Sequence, residues 1–299
     1  PLTQPLADMA VTSVGIDVYH IGGETETGVT NLVKRFDTST RTWHDMTAKP
    51  TAVSAASAAV LFGEIYVPGG RTTTGEPTNV VEAYSPANNA WRPIANLPKP
   101  ISDGLALSDG SYLYMVGGWD GTQYLDDVYL YDASSDSWRP LTTLPQPLAA
   151  ATGDVISGKL YIVGGTDESH TALDSCFVYA VEEDSWHDCP TMLRPRKDAG
   201  AAIILNKLYV LGGDEPAGSD LPFGEFYDPS TETWHVVNTP MQETAVAWSN
   251  LGVTNVETKI YAWGGNMGEV LSDGNYIYSP LVYQTFIPAA SGGATDAQP

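Results

Sequence analysis

The sequence predicts an all-β protein built as a six-bladed β-propeller, each blade a sheet of four antiparallel strands. Three observations predict it. An apolar run that closes on Tyr, two further residues and a glycine pair occurs six times, as VYHIGG, IYVPGG, LYMVGG, LYIVGG, LYVLGG and IYAWGG. The first glycines, Gly22, Gly69, Gly117, Gly164, Gly212 and Gly264, are 47, 48, 47, 48 and 52 residues apart, and a period of this length marks stacked supersecondary units. Each of the first five repeats also carries an aromatic followed seven residues later by Trp: Phe36/Trp43, Tyr84/Trp91, Tyr131/Trp138, Tyr179/Trp186 and Tyr227/Trp234.

Repeat three justifies the elements in order. Residues 104–108 read as strand a, 112–116 as strand b ending in the glycine pair, 127–131 as strand c and 138–141 as strand d, with Ser-Asp turn chemistry between c and d. Four short strands joined up and down make one blade. Strand a is rich in small residues elsewhere, at 55–59 and 199–202, which suits the crowded ring axis. The paired aromatics bury apolar area between neighbouring sheets, about 1.5–3 kcal/mol for each well-buried side chain.

Tyr-x-x-Gly-Gly with Tyr-x6-Trp at this period resembles the kelch repeat, and six copies resemble the six-bladed propellers of the kelch and galactose-oxidase-like superfamily. The resemblance covers residues 1–288, with blades at about 1–46, 47–95, 96–142, 143–190, 191–238 and 239–288. Blade six is irregular. Tyr278 is followed at seven by Thr285, so Tyr283 or Phe286 is expected to fill the Trp space, and about five extra residues are read between strands a and b, at 252–259. Strand d of blade six is expected at 282–287, so that each blade is complete in sequence order. Residues 289–299 read as a flexible tail or linker by composition. With a start that lacks Met or a basic-then-apolar leader, the tail suggests a monomeric domain of a larger protein.

Charge narrows the partners. Of 299 residues, 14 are Lys or Arg and 36 Asp or Glu, a formal net charge of -22 that repels nucleic acid. No apolar run approaches the roughly 20 residues of a membrane-spanning helix.

Cys176 and Cys189 are the two cysteines. If Tyr179 opposes Trp186 across the c–d hairpin, the cysteines oppose each other as well. The corresponding pairs elsewhere are Val33/Met46, Val81/Ile94, Val128/Leu141 and Gly224/Val237. Two readings stand: small apolar substitutes, or a cross-strand disulfide worth about 3 kcal/mol. The spacing is not a zinc pattern.

The b–c and d–a connections share one face, and the b–c loops are the long ones, so ligand-binding residues are expected there. Two positions per blade are assigned to its central funnel. The first follows the glycine pair: Glu24, Arg71, Trp119, Thr166, Asp214 and Asn266. The second lies about sixteen residues before the pair: Leu6, Val53, Ile101, Leu148 and Arg196, with Glu243 matched in blade six. Kelch proteins that grip acidic peptides carry several arginines at the second position, and here Arg196 alone matches them; a mixed polar ligand is expected instead. Trp119 is a candidate to stack on a sugar or extended peptide, or else packs over the next blade. Arg71 is the one Lys or Arg in the six b–c loops, a ligand contact or a salt bridge. Asp8, Asp103 and Asp198 recur every 95 residues, two into strand a from the second position. They suggest either calcium or hydrogen bonds to backbone and channel water; no other metal or cofactor is expected.

Catalysis lacks an obvious apparatus. His44, His187 and His235 follow blade tryptophans on outer strands, and only His170 lies in a b–c loop, whereas copper needs converging imidazoles. No nucleophile elbow, phosphate loop or zinc helix motif is present. The sequence therefore predicts a non-catalytic binding or sensing domain that takes a protein, peptide or glycan in its funnel, in an extracellular, periplasmic or cell-surface setting. The alternative is a carbohydrate-active enzyme resembling the kelch sugar mutarotases or epimerases, with acid–base chemistry at Glu24, Asp214 or Glu243 beside an arginine.

Overall fold

The computed structural model describes residues 1–214, 224–237 and 247–280. These residues contain strands and turns and no helix, so none that could cross a membrane. Five sheets are four-stranded with strands in sequence order: blade one Ala10–Val14, Asp17–Ile21, Val33–Asp37 and Thr42–Asp45; blade two Ala59–Leu61, Glu64–Pro68, Val81–Ser85 and Ala90–Pro93. Blade three is Leu105–Ser108, Leu113–Val116, Asp127–Asp132 and Ser137–Thr143; blade four Thr152–Ile156, Lys159–Val163, Cys176–Ala180 and Ser185–Asp188. Blade five is Gly200–Ile204, Lys207–Leu211, Gly224–Asp228 and Thr233–Val237. Blade six shows Gly252–Val256, Lys259–Trp263 and Asn275–Tyr278 among the described residues. Its expected strand d and the tail lie outside them.

Strands a form the inner wall. Each packs on strand a of both neighbouring blades, and strand a of blade one meets that of blade six, so the ring closes. The motif tyrosines Tyr19, Tyr66, Tyr114, Tyr161, Tyr209 and Tyr261 are all buried on strand b.

The glycine pair is explained by the neighbouring blade. The second glycine's N–H donates to a carbonyl of the next blade's d–a connection at 2.7–2.9 Å, as Gly23 to Val53, Gly165 to Arg196 and, at the closure, Gly265 to Leu6. That carbonyl also sits against the first glycine. A Cβ on Gly164 would fall well inside 3.0 Å of the Arg196 carbonyl oxygen, and the other five first glycines meet the same obstacle. No side chain fits between blades so closely joined.

The aromatic pairs sit in register in all five blades, from Phe36 opposite Trp43 to Tyr227 opposite Trp234. The tryptophans do more than cover area. Each indole N–H reaches back toward the preceding blade: Trp91 to the Thr47 carbonyl at 2.8 Å, Trp138 to that of Ala95 at 3.0 Å, Trp234 to that of Pro190 at 2.7 Å, and Trp186 to the Thr142 hydroxyl at 3.3 Å. Trp43 takes the Pro1 carbonyl at 3.0 Å. The N-terminal segment thus serves the closing seam, where Leu2 and Leu6 also donate to Asp273 and Ser272 of blade six. His20 is buried in that seam between Trp43 and Trp263, at 4.9 and 4.8 Å, with neither ring nitrogen hydrogen-bonded. Burial pushes its pKa down to about 3.

Cys176 and Cys189 form a disulfide across the hairpin, with their Cα atoms 5.3 Å apart. In blade three, however, a bulge after Val128 shifts the ladder, so Val128 opposes Thr142 rather than the expected Leu141; the extra residue displaces one position in the pairing.

Blade six differs from the expectation. Its strands a and b are joined by the short turn 257–258, as tight as in blade five, so residues 252–259 hold no insertion. By count the extra length falls between Trp234 and Trp248, a step longer than that from Trp186 to Arg196; residues 238–246 fall outside the described residues.

Candidate functional site

A single ring of backbone hydrogen bonds organises the b–c/d–a face. Ala55 N–H donates to the Asp8 carbonyl at 3.0 Å, Asp103 to Ala55 at 2.9 Å, Ala150 to Asp103 at 2.8 Å, Asp198 to Ala150 at 3.1 Å, Asn250 to Asp198 at 2.8 Å, and Asp8 to Asn250 at 3.0 Å. Each blade gives one residue, and the six bonds close on themselves. All six residues have positive φ, between 48° and 57°, a conformation that costs an L-residue energy unless its surroundings demand it. The belt demands it, because it is the junction at which each chain turns into strand a. Asp8, Asp103 and Asp198 therefore lie two residues before strand a begins, not within it.

Below the belt the inner strands enclose an axial cavity of about 370 Å³, lined by the belt residues and by small and polar side chains such as Thr12, Ser57, Thr152 and Asp154. The belt carboxylates line its mouth. Asp103 accepts from Arg71 at 2.7 Å and from the Ser102 hydroxyl at 2.6 Å. Asp8 and Asp198 have no hydrogen-bonding partner for their carboxylates among the described residues. Burial first, then Asp198 and Asp103, push the Asp8 carboxyl up to about 7. Burial and then Asp103 push Asp198 up to about 6, and burial pushes Asp154 in the channel wall up to about 6. Among the described residues no three His, Cys, Asp or Glu side chains gather closely enough to hold a metal.

The first-position residues surround this mouth. Glu24, Arg71, Trp119, Thr166, Asp214 and Asn266 each form an antiparallel bridge with the residue just before the belt: Ala7, Ser54, Ser102, Ala149, Lys197 and Ser249. Glu24 is exposed, and Arg71, Trp119, Asp214 and Asn266 are partly exposed, whereas Thr166 is buried. Asp214 lies 4.0 Å from Lys197.

The second-position residues do not face the funnel. Leu6, Val53, Ile101, Leu148 and Arg196 are buried between blades, and their carbonyls are the ones the glycine pairs bind. Arg196, 1% exposed, places Nε 3.1 Å from Glu225, itself 0% exposed, and donates from Nη1 to the Gly212 carbonyl. It is a strut of the blade seam rather than a surface group. The blade-six equivalent is Trp248, not Glu243. Trp248 is bridged through Gly213, its carbonyl accepts from the Gly213 N–H at 2.7 Å, and its indole donates to the Gly264 carbonyl at 2.6 Å, as Arg196 does to Gly212. Glu243 lies outside the described residues. The misplaced insertion caused the misassignment: Trp248 lies 52 residues after Arg196, the same step as between Gly212 and Gly264.

One contact of this face escapes the sequence. Tyr124 and His170, from the b–c loops of blades three and four, meet with the hydroxyl 2.9 Å from Nδ1. The Tyr124 hydroxyl is pushed up in pKa by burial and then by Asp103, Asp167 and Asp198, so it faces the acidic mouth. No spacing rule joins two separate loops. Asn250, by contrast, is legible from the 52-residue step.

Comparison with known proteins agrees with this architecture. A family model described as the KLHDC2/KLHL20/DRC7 Kelch-repeats domain matches residues 8–213, and one for the Kelch motif matches 195–241. Human Kelch-like protein 33 is 34% identical over 128 residues, 41% of this chain and 24% of that protein. The F-box/kelch-repeat protein At4g39560 of Arabidopsis thaliana is 30% identical over 104 residues, 35% of this chain and 38% of that protein. The matches thus span a quarter to two-fifths of these relatives' length. Among solved structures, one titled "Structure of YjhT" superposes with a TM-score of 0.78 at 15% identity, covering 93% of this chain and 99% of that one. With its six closed blades and with more than half its length matched by a single family model, the chain belongs to the kelch-repeat family.

Proposed function

We propose that this kelch propeller is a non-catalytic binding domain that holds a peptide, glycan or partner protein at the belt mouth on its b–c/d–a face. The observation that carries this reading is the pair of belt carboxylates without partners, Asp8 and Asp198, on a rigid ring above a cavity. Carboxylates held against burial and mutual repulsion destabilise the fold at neutral pH, a feature typical of sites kept for function. Such a mouth favours ligands that present donors, whether ammonium, guanidinium or hydroxyl groups, with Arg71 and Trp119 at its edge for orientation and stacking. Kelch relatives such as the F-box protein above carry further domains by name, which supports a protein-binding module within a larger chain. The disulfide supports an extracellular, periplasmic or cell-surface setting, since such bonds persist in oxidising compartments. A thermal-shift screen of sugars, basic and acidic peptides and calcium tests the reading: a stabilising ligand should lose its effect in Asp8→Asn/Asp198→Asn. Screening hits that survive this double substitution would move the site elsewhere.

One observation favours the rival, a sugar mutarotase or epimerase: a carboxyl with pKa about 7 at Asp8 is suited to moving protons at neutral pH. Against it, the Arg71 side chain is 38% exposed, so Arg71 and Asp103 meet at the rim rather than deep in the funnel. Polarimetry of freshly dissolved sugars would show accelerated mutarotation, abolished by Asp8→Asn, if the rival holds.

A further inference from the structure

The opposite face of the ring, independent of the belt mouth, carries its own signal. The a–b turns close the far ends of the inner strands, around the other end of the channel. Ile16, Phe62 and Tyr112 on the consecutive blades one, two and three are 48%, 73% and 37% exposed, and Leu205 on blade five is 60% exposed. Blades four and six put Ser157 and Glu257 in their turns.

Phe62, Ser157, Leu205 and Glu257 occupy one turn position with φ of 51°, 51°, 50° and 54°. That left-handed position favours Gly, Asn or Asp and penalises a bulky side chain. At Phe62 and Leu205 the fold accepts this cost and displays apolar surface as well. Phe62 is 73% exposed and makes no ring contact among the described residues, so little of it serves the interior. An arc of apolar tips on adjacent blades, kept at a conformational cost, is what an interaction surface requires.

The charge selects the occupant. At a formal -22 a second copy of this chain, or an anionic membrane, would be repelled. Lys159, Lys207 and Lys259 open strand b beside the turns of blades four to six, Lys207 paired with Asp228, but on blades one to three that strand opens with Asp17, Glu64 and Leu113; there Asp109 has no ion-pair partner among the described residues, while Asp17 and Glu64 are met by Arg35 and Arg92. We infer that the a–b face docks a basic protein segment, inserting apolar side chains among Ile16, Phe62 and Tyr112 while its lysines or arginines meet the surrounding carboxylates.

The test uses a fluorescent peptide of alternating Leu and Lys, its Leu and Glu counterpart, and anionic vesicles, with fluorescence anisotropy and sedimentation as readouts. The Lys peptide should bind, the Glu peptide and vesicles should not, and Phe62→Asn should weaken binding by about tenfold or more. Asn tolerates the left-handed turn, so this variant should melt no lower than the parent and loss of binding cannot be blamed on unfolding. Leu205→Asn, at the same turn position but two blades from the arc, should leave this binding intact. Any of four results overturns the inference: unchanged binding in Phe62→Asn, equal binding of the Glu peptide, binding to the vesicles, or a parent chain that dimerises through Phe62. A clear fall in melting temperature on Phe62→Asn would also overturn it, by showing that Phe62 serves the fold.

Discussion

Arg196 and Arg71 each meet a carboxylate, at 3.1 and 2.7 Å, and do different work. Arg196 and Glu225 are sealed in the blade-five seam, where the guanidinium also binds the Gly212 carbonyl and the carboxylate accepts the Leu193 N–H at 2.7 Å. Arg71 and Asp103 sit at the channel mouth with part of each side chain in water. Three blades from Arg196, the same seam device recurs: Lys49, fully buried, donates to Glu82 at 2.6 Å, and Glu82 stands on strand c where Glu225 does. A buried ion pair is valuable chiefly because breaking it strands a charge. An exposed one contributes little and stays available. Surroundings, not residue type, separate strut from site.

The largest effect should come from the seams. Arg196→Ala leaves Glu225 buried and unpaired and should cost about 3–5 kcal/mol, read by denaturant unfolding. Gly164→Ala should be comparably disruptive, because its Cβ strikes the backbone of the next blade. If Arg196→Ala instead left stability intact and removed ligand binding, the comparison would be reversed. The disulfide comes next: Cys176→Ser/Cys189→Ser should lower stability by about 3 kcal/mol without touching the belt, and mass analysis before and after reduction should show the bond directly.

The belt mouth should announce itself through pH. Asp8 and Asp198 have folded pKa values raised to about 7 and 6 from 3.8, so the folded state holds protons that the unfolded chain has released. Their contribution is fully present below about pH 4 and is lost as pH rises to about 7. His20 works in the opposite sense: with its pKa depressed to about 3, it lends stability above its unfolded value near 6.5 and withdraws it as pH falls. Asp8→Asn should therefore raise the melting temperature at pH 7.5 more than at pH 4, and His20→Phe should help only in acid. An Asp8→Asn variant with no gain at pH 7.5 would argue that the mouth carboxylates are not held against their preference. The smallest effect belongs to Arg71→Ala, below about 1 kcal/mol in stability but with altered ligand affinity in the same screen.

Much of this was legible in the chain. The motif count, the strand order and the innermost strand follow from local pattern, and repeat three was placed within a residue or two at its strand ends. That Cys176 and Cys189 oppose each other follows from the register of Tyr179 and Trp186; that they are bonded came from the structure. The site was legible only in part. Asp8, Asp103 and Asp198 stood out by spacing, yet the arginine motif drew attention to a position whose side chains are buried. In blade six an insertion counted on the wrong side of Trp248 produced Glu243. Tyr124 and His170 come together from different loops.

By itself, the sequence determined the ring of six sheets, because glycine pairs and paired aromatics act through contacts that each repeat carries in its own local pattern. Only the tertiary structure decided which side chains face inward. That depends on how the d–a connection crosses from blade to blade: the belt bonds turn residues such as Asp8 toward the axis and shut Arg196 into the seam.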